Sequence, residues 1–167
     1  MNVCGVDPGL NTTGYAVVCA GDGGVRVVDA GLCRTLATEP LEARLAAIDA
    51  DFVNLFEQQT PALVAVEKLY AHYKHPRTAV IMGHVRGVIL AAAARRGIEV
   101  RGYGATQIKR FLTGNGRASK RQMQQAVMRE LRLPALPEPH DVADALAVAM
   151  CCIGDGIKSV SRTVGES

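Results

Sequence analysis

The chain places acidic residues at the ends of apolar stretches that otherwise read as buried strands. Val3-Cys4-Gly5-Val6 stops at Asp7-Pro8-Gly9, and Ala62-Leu63-Val64-Ala65-Val66 stops at Glu67. A third group, His140-Asp141-Val142-Ala143-Asp144, opens an apolar helix behind Pro139. A carboxylate at the end of a buried strand is costly unless its charge is compensated. Two such strands side by side, with the helix start nearby, bring three or four carboxylates together, and they repel one another. Divalent cations remove that repulsion, and a hard, carboxylate-rich site suits Mg²⁺ or Mn²⁺. The pattern calls for a fold that gathers both strand ends and the helix start at one place. It points to metal-dependent phosphoryl-transfer chemistry.

Each acid also has a plainer reading. Asp7 with Pro8-Gly9 makes a good turn, and Glu67 is followed by Lys68, which can neutralise it. If Glu138 caps the last helix and Pro139 is its first residue, Asp141 falls at N3 and offsets the helix dipole. Yet Asp141 and Asp144 are three apart and His140 and Asp144 four apart, so all three share one face. Val142, Leu146 and Ala149 occupy the other. Taken together, the four acids favour a site over four unrelated local devices.

The turn signals Pro8-Gly9 and Gly21-Asp22-Gly23-Gly24 divide the first third into strands at 3–7, 14–20 and 25–33, a β-meander. A helix is expected over 40–58, a fourth strand over 63–67, a helix over 77–96 and a fifth strand over 98–103. Further helices follow at 106–112 and 119–132, joined by a flexible loop, Thr113-Gly114-Asn115-Gly116-Arg117. The last helix is expected over 139–153, with a flexible tail over 154–167. This order predicts one α/β domain over residues 1–153. It is a five-stranded mixed sheet, a three-strand meander plus two parallel strands, flanked by helices. The 77–96 helix is apolar around much of its circumference, so its second face is expected to meet a partner, with Val85 pointing outward.

A length of 167 residues fits that single domain. No run of eighteen apolar residues is present, so no membrane span is expected. Met1-Asn2-Val3-Cys4 enters a strand without a basic leader, and the five cysteines form no CxxC pair. They read as small buried hydrophobes in a reducing cytoplasm. His72 and His75 have the spacing of a metal-ligand pair, but no suitable third ligand is close in sequence, so zinc is not favoured. Charge is strongly segregated. Residues 68–132 hold 14 Lys and Arg against two acids, Glu99 and Glu130, a net of +12, while the rest of the chain is at −9. Solvated helix faces give such a block, and so does a surface for a polyanion. Lys109, Arg110, Arg117, Lys120 and Arg121 surround the Gly-Asn-Gly loop, which can follow a phosphate backbone closely. Tyr70, three residues beyond Glu67, is either a rim aromatic or a platform for an unpaired base.

Several motifs in fixed order carry a resemblance. Gly5-Val6-Asp7-Pro8-Gly9 with Thr13-Gly14-Tyr15 is followed by Ala65-Val66-Glu67-Lys68-Leu69-Tyr70. Gly83-His84-Val85-Arg86-Gly87, then Lys109 and Lys120 about the Gly-Asn-Gly loop, and His140-Asp141-Val142-Ala143-Asp144-Ala145-Leu146-Ala147 complete the series. From residue 1 to about 153 the chain resembles the bacterial RuvC family of Holliday-junction resolvases. The resemblance implies a ribonuclease H-like fold, a homodimer, and Mg²⁺-dependent symmetric nicking of four-way DNA junctions. It also implies cooperation with the RuvA–RuvB branch-migration complex. Asp7, Glu67, Asp141 and Asp144 would be its acidic quartet, with two cations per site and Mn²⁺ able to substitute. Family members differ in the last motif, so either His140 or Asp141 faces the metal.

The chemistry agrees. Phosphodiester hydrolysis by two cations needs a bridging ligand, for which Asp7 is best placed, and leaves a 5′-phosphate and a 3′-hydroxyl. Two rivals remain. An actin-like or sugar-kinase-like ATPase shares the Asp-Gly-Thr-Thr start but needs a second nucleotide-clamping domain. A non-catalytic junction-binding protein has no use for acids at both strand ends and the helix.

Overall fold

The computed structural model describes residues 1–69 and 76–164, with 157–164 by backbone alone. Five strands form one sheet: β1 (Asn2–Asp7), β2 (Thr12–Gly21), β3 (Gly24–Arg34), β4 (Leu63–Glu67) and β5 (Glu99–Tyr103). Their order is β3-β2-β1-β4-β5. β1, β2 and β3 pair antiparallel, and β4 pairs parallel with both β1 and β5. The meander plus two parallel strands is the expected topology. β1 is central because Val3, Cys4 and Val6 have no exposure and face helices on both sides.

Helices α1 (Leu41–Gln59) and α2 (Pro76–Arg95) cover one face, and α3 (Ala105–Thr113), α4 (Lys120–Glu130) and α5 (His140–Val164) the other. Side chains alternate across a strand, so the two cores read off β1 and β4. Cys4, Val6, Val64 and Val66 pack with Ile48, Phe52 and Ile89 on the α1–α2 side. Val3, Leu63 and Ala65 pack with α5 on the opposite side. By the same alternation Asp7 and Glu67 emerge on the α5 side, where the strands end.

Two strand glycines let α5 come close. A Cβ on Gly5 would lie 2.1 Å from the Ala145 carbonyl oxygen, and one on Gly14 would lie 2.1 Å from that of Asp141. Neither position tolerates a side chain without displacing the helix, which is the use of an interior strand glycine. The backbone contact at Gly14 fixes the first turn of α5 over the meander.

Three details depart from the sequence reading. α5 runs to Val164 instead of ending at 153. The helix continues through Gly154, where a Cβ would meet the Phe111 ring at 2.2 Å, so the glycine accommodates packing. Val85 faces inward and is fully buried with Ile89, Ala92 and Ala93, whereas Val80 is 60% exposed. The helix is apolar on both sides, so hydrophobicity alone did not fix its rotation. An eighteen-residue window of α2 has mean hydropathy 1.3, apolar enough by length and composition to cross a bilayer, and 22% of it is buried. It is not an uninterrupted apolar run, because Arg86 breaks it.

Candidate active site

Asp7 and Glu67 are the last residues of β1 and β4, and these strands are paired neighbours in parallel. Asp141 and Asp144 lie in the first turns of α5, which the Gly14 contact holds against β2. The sheet thus delivers two carboxylates and α5 two more. The fold brings together all four predicted acids, each of them partly buried.

Electrostatics confirm that they share one environment. Burial, followed by the charges of Asp144, Glu67 and Asp141, raises the pKa of Asp7 from 3.8 to about 8, with Lys120 opposing. Glu67 is raised by burial and by Asp144, against Lys109 and Lys120. Asp144 is raised by burial, with Lys120, His140 and Lys109 pulling down and Asp141 pushing up. Desolvation and like charge both disfavour the ionised form. Among the described residues, none of the four carboxylate side chains makes a hydrogen bond or ion pair. The repulsion is left for something outside the chain to relieve.

A cleft of about 190 Å³ opens on Glu67 and Asp144 and is lined by Lys109, Lys120 and Met123. Lys109 comes from α3 and Lys120 from the first residue of α4. Ser119 sets that helix start: its hydroxyl accepts from the Gln122 N–H at 3.2 Å, and the Gln122 side chain accepts from the Ser119 N–H at 2.8 Å. The intervening loop, expected to be flexible, carries its own bonds. Asn115 Oδ1 accepts from the Arg117 N–H at 2.9 Å, and the Thr113 hydroxyl donates to the Asn115 carbonyl at 3.0 Å.

The other predicted residues are dispersed. Arg117 and Arg121 are exposed on the same lobe. Arg110 lines a separate depression with Lys68, Gln107 and Asp155. His140 is exposed and borders a separate hollow with Glu138 and Pro139. Asp141 is the residue whose backbone seats α5, so of the adjacent pair Asp141 lies nearer the sheet. Tyr70, His72 and His75 lie outside the described residues. Sequence reading gave no role to Met123 or to the glycines beneath α5. An interior glycine in each of two adjacent strands was the available signal for the latter.

The residues fit hard divalent cations: oxygen donors only, partly buried, mutually repelling and without partners among the described residues. No three His, Cys, Asp or Glu side chains among the described residues converge on a single ion position. Mg²⁺ does not require that, because it is typically held by one or two carboxylates with waters and substrate phosphates completing the shell.

Sheet order, the acids at two strand ends and the helix start together define a nuclease of the ribonuclease H-like class. Comparison with known proteins narrows this. The family model described as crossover junction endodeoxyribonuclease RuvC matches residues 3–152. The chain is 45% identical over 149 residues to the RuvC of Rhodopirellula baltica, covering 89% of this chain and 84% of that protein. It is 45% identical over 151 residues to that of Gloeobacter violaceus, covering 90% and 86%. The solved structure of Thermus thermophilus RuvC in complex with Holliday junction substrate superposes with TM-score 0.85 at 34% identity, covering 90% of this chain and 92% of that one. The yeast mitochondrial resolvase Ydc2, at 14% identity and TM-score 0.65, shares the fold. The chain belongs to the RuvC family of crossover junction endodeoxyribonucleases.

Proposed function

We propose that this chain is a structure-selective endonuclease that resolves four-way DNA junctions by paired, metal-dependent nicks during recombination and repair. The observation that carries the reading is the group of four carboxylates, partly buried and acting on one another, beside a lysine-lined cleft. Asp7, Glu67, Asp141 and Asp144 would hold two Mg²⁺ ions, with Mn²⁺ able to substitute. When bound, the cations supply Lewis acidity toward the attacking water and the leaving 3′-oxygen. The chain does the rest. Asp7, on which the other three acids all act, would help to hold both ions, and Glu67 and the α5 carboxylates would complete the set. Lys109 and Lys120 offset the carboxylate charge facing the cleft, so that a phosphodiester can approach. His140, at the rim and close enough to favour ionised Asp144, orients or exchanges protons with groups at the mouth. Products carry a 5′-phosphate and a 3′-hydroxyl.

Lys109→Ala and Lys120→Ala are expected to weaken junction binding and flatten its salt dependence. Each lost phosphate contact lowers the slope of log K against log salt by roughly 0.9. Binding measured across a salt series checks this, and an unchanged slope removes both lysines from the DNA path.

Two nicks in opposing strands call for two active sites, and α2 offers the surface for a homodimer. Its inner strip is in the core, while Val80 is exposed on the outer side beside His84 and the small residues Gly83, Gly87 and Ala91. Because Val85 is interior, the informative substitution is Val80→Glu. It should cost little folding stability, as exposed changes do, yet yield monomers by sedimentation that no longer make paired nicks. An intact dimer for that variant counts against α2. The enzyme would work in the cytoplasm, in cooperation with the RuvA–RuvB branch-migration complex.

The reading is tested by incubating the protein and Mg²⁺ with a synthetic junction labelled on each strand in turn. Matched cuts in two opposing strands, sealed by ligase, are the expected result. Equal cutting of linear duplex, or unpaired nicks, would overturn it.

A further inference from the structure

The loop that leaves Asp7 is fastened by two devices that the mechanism above does not use. The first is Thr13, which is fully buried. Its hydroxyl donates to the Gly9 carbonyl at 2.6 Å and accepts from the Gly9 N–H at 3.3 Å. The second is Arg44 of α1, only 8% exposed. Its Nε donates to Thr35 Oγ1 at 2.9 Å and its Nη2 to Asn11 Oδ1 at 2.5 Å. The Thr35 hydroxyl in turn donates to the Leu10 carbonyl at 2.6 Å, and the Thr35 N–H donates to the Asn11 carbonyl at 3.2 Å.

Arg44 pairs with no carboxylate among the described residues. A buried, unpaired guanidinium is an expensive way to fasten a loop. Neutral residues could make the same hydrogen bonds. What the charge adds is polarity. A guanidinium has donors only, so the Asn11 atom facing it must be the oxygen. The Asn11 amide nitrogen therefore points away from Arg44. Asn11 is exposed, and its amide NH₂ donates to no acceptor among the described residues. The result is a pair of N–H donors, held in one orientation and polarised by the cation behind, on the loop that begins at Asp7.

We propose that Asn11 is a DNA-backbone contact, its amide nitrogen donating to a non-bridging phosphate oxygen of the strand at the active site. Arg44 is its positioning residue, acting through Asn11 Oδ1 and Thr35. This rests on the junction-nuclease reading above. A phosphate is the partner because it accepts from any direction, gains from the positive charge behind the amide, and is the group the neighbouring site must hold.

The test measures junction binding by the wild-type protein, Asn11→Ala and Asn11→Asp. The junctions carry single uncharged methylphosphonate linkages stepped through the strand near the cut. One linkage should weaken wild-type binding by roughly tenfold, the scale of a hydrogen bond to a charged acceptor. Asn11→Ala should bind the unmodified junction about tenfold more weakly and be indifferent to that linkage. Asn11→Asp gives the discriminating result. Its carboxylate accepts from Arg44 as the amide oxygen did and adds an ion pair, so melting temperature should hold or rise. Junction binding should nevertheless fall below that of Asn11→Ala, and the extra loss should vanish on the methylphosphonate junction. A purely structural clamp predicts instead that Asn11→Asp binds as wild type. That outcome, or equal sensitivity of wild type and Asn11→Ala to every linkage, overturns the proposal. Failure of the wild-type protein to bind or cut any junction overturns the underlying reading instead.

Discussion

Asp7→Asn is expected to abolish junction cutting while leaving junction affinity within a few-fold of wild type. The substitution keeps the size and shape of the side chain and removes the charge at the centre of the acidic group. Asp144, Glu67 and Asp141 all act on Asp7, so its loss affects every ion position they share. Metal-based charge stabilisation is worth several kcal/mol in the transition state. Losing about 4 kcal/mol slows cutting roughly 10³-fold. The substitution leaves Lys109, Lys120, Arg117 and Arg121 untouched, and under the proposed function these would supply most of the salt-dependent affinity. Glu67→Gln should follow the same pattern. Single-turnover cutting and equilibrium binding on one junction check both. A variant that cuts at near the normal rate removes its residue from the metal site.

The same Asp7→Asn variant should be more stable than wild type when divalent cations are absent and the pH is high. The pKa of Asp7 in the folded protein, about 8, lies above its ordinary value of 3.8. The native state therefore binds this proton more tightly than the unfolded chain. The associated stability is fully present below pH 4 and is lost as pH rises toward 8. Above that, the folded protein carries a partly buried, repelled carboxylate. Asn removes the repulsion. Partial exposure and solvent screening reduce the gain well below what the full shift implies, to about 2 kcal/mol. For a domain of this size that is a melting temperature higher by about 4–8 °C at pH 8. The difference should shrink toward pH 5, where Asp7 holds its proton. Added Mg²⁺ should raise the melting temperature of wild type and have little effect on the variant. Thermal melts at several pH values, with and without Mg²⁺, check this. A variant less stable than wild type at pH 8 would show that Asp7 is not repelled.

The convergence of the acids was legible in the sequence because an acid ending an apolar strand violates a local rule, and the violation falls at the same end of two adjacent strands. The meander was legible from its glycine turns, and the sheet order followed from the way strands and helices alternate. What escaped reading depended on packing. Val85 and Val80 are chemically identical, and only the docking of α2 on Val64 and Val66 decides which one is covered. The last helix was expected to end at 153 because the Phe111 ring that packs on Gly154 comes from α3, more than forty residues earlier. Arg110 and Lys109 are neighbours in sequence, yet helix geometry sends one into the acid cleft and the other to a separate depression. Arg44 sat in an otherwise amphipathic helix with nothing to mark it as buried. Its partners, Asn11 and Thr35, come from loops that sequence periodicity does not place.

Under the proposed function, cations held by the four carboxylates act directly on the phosphodiester being cut. Sulfur replacing a non-bridging oxygen at the scissile phosphate tests it most directly, because sulfur binds Mg²⁺ poorly and the softer Mn²⁺ better. On such a junction, single-turnover cutting should be strongly slowed in Mg²⁺ and largely restored in Mn²⁺, with the unmodified junction cut well in either ion. Cutting that persists when divalent cations are chelated, or a sulfur effect identical in the two metals, would contradict the account.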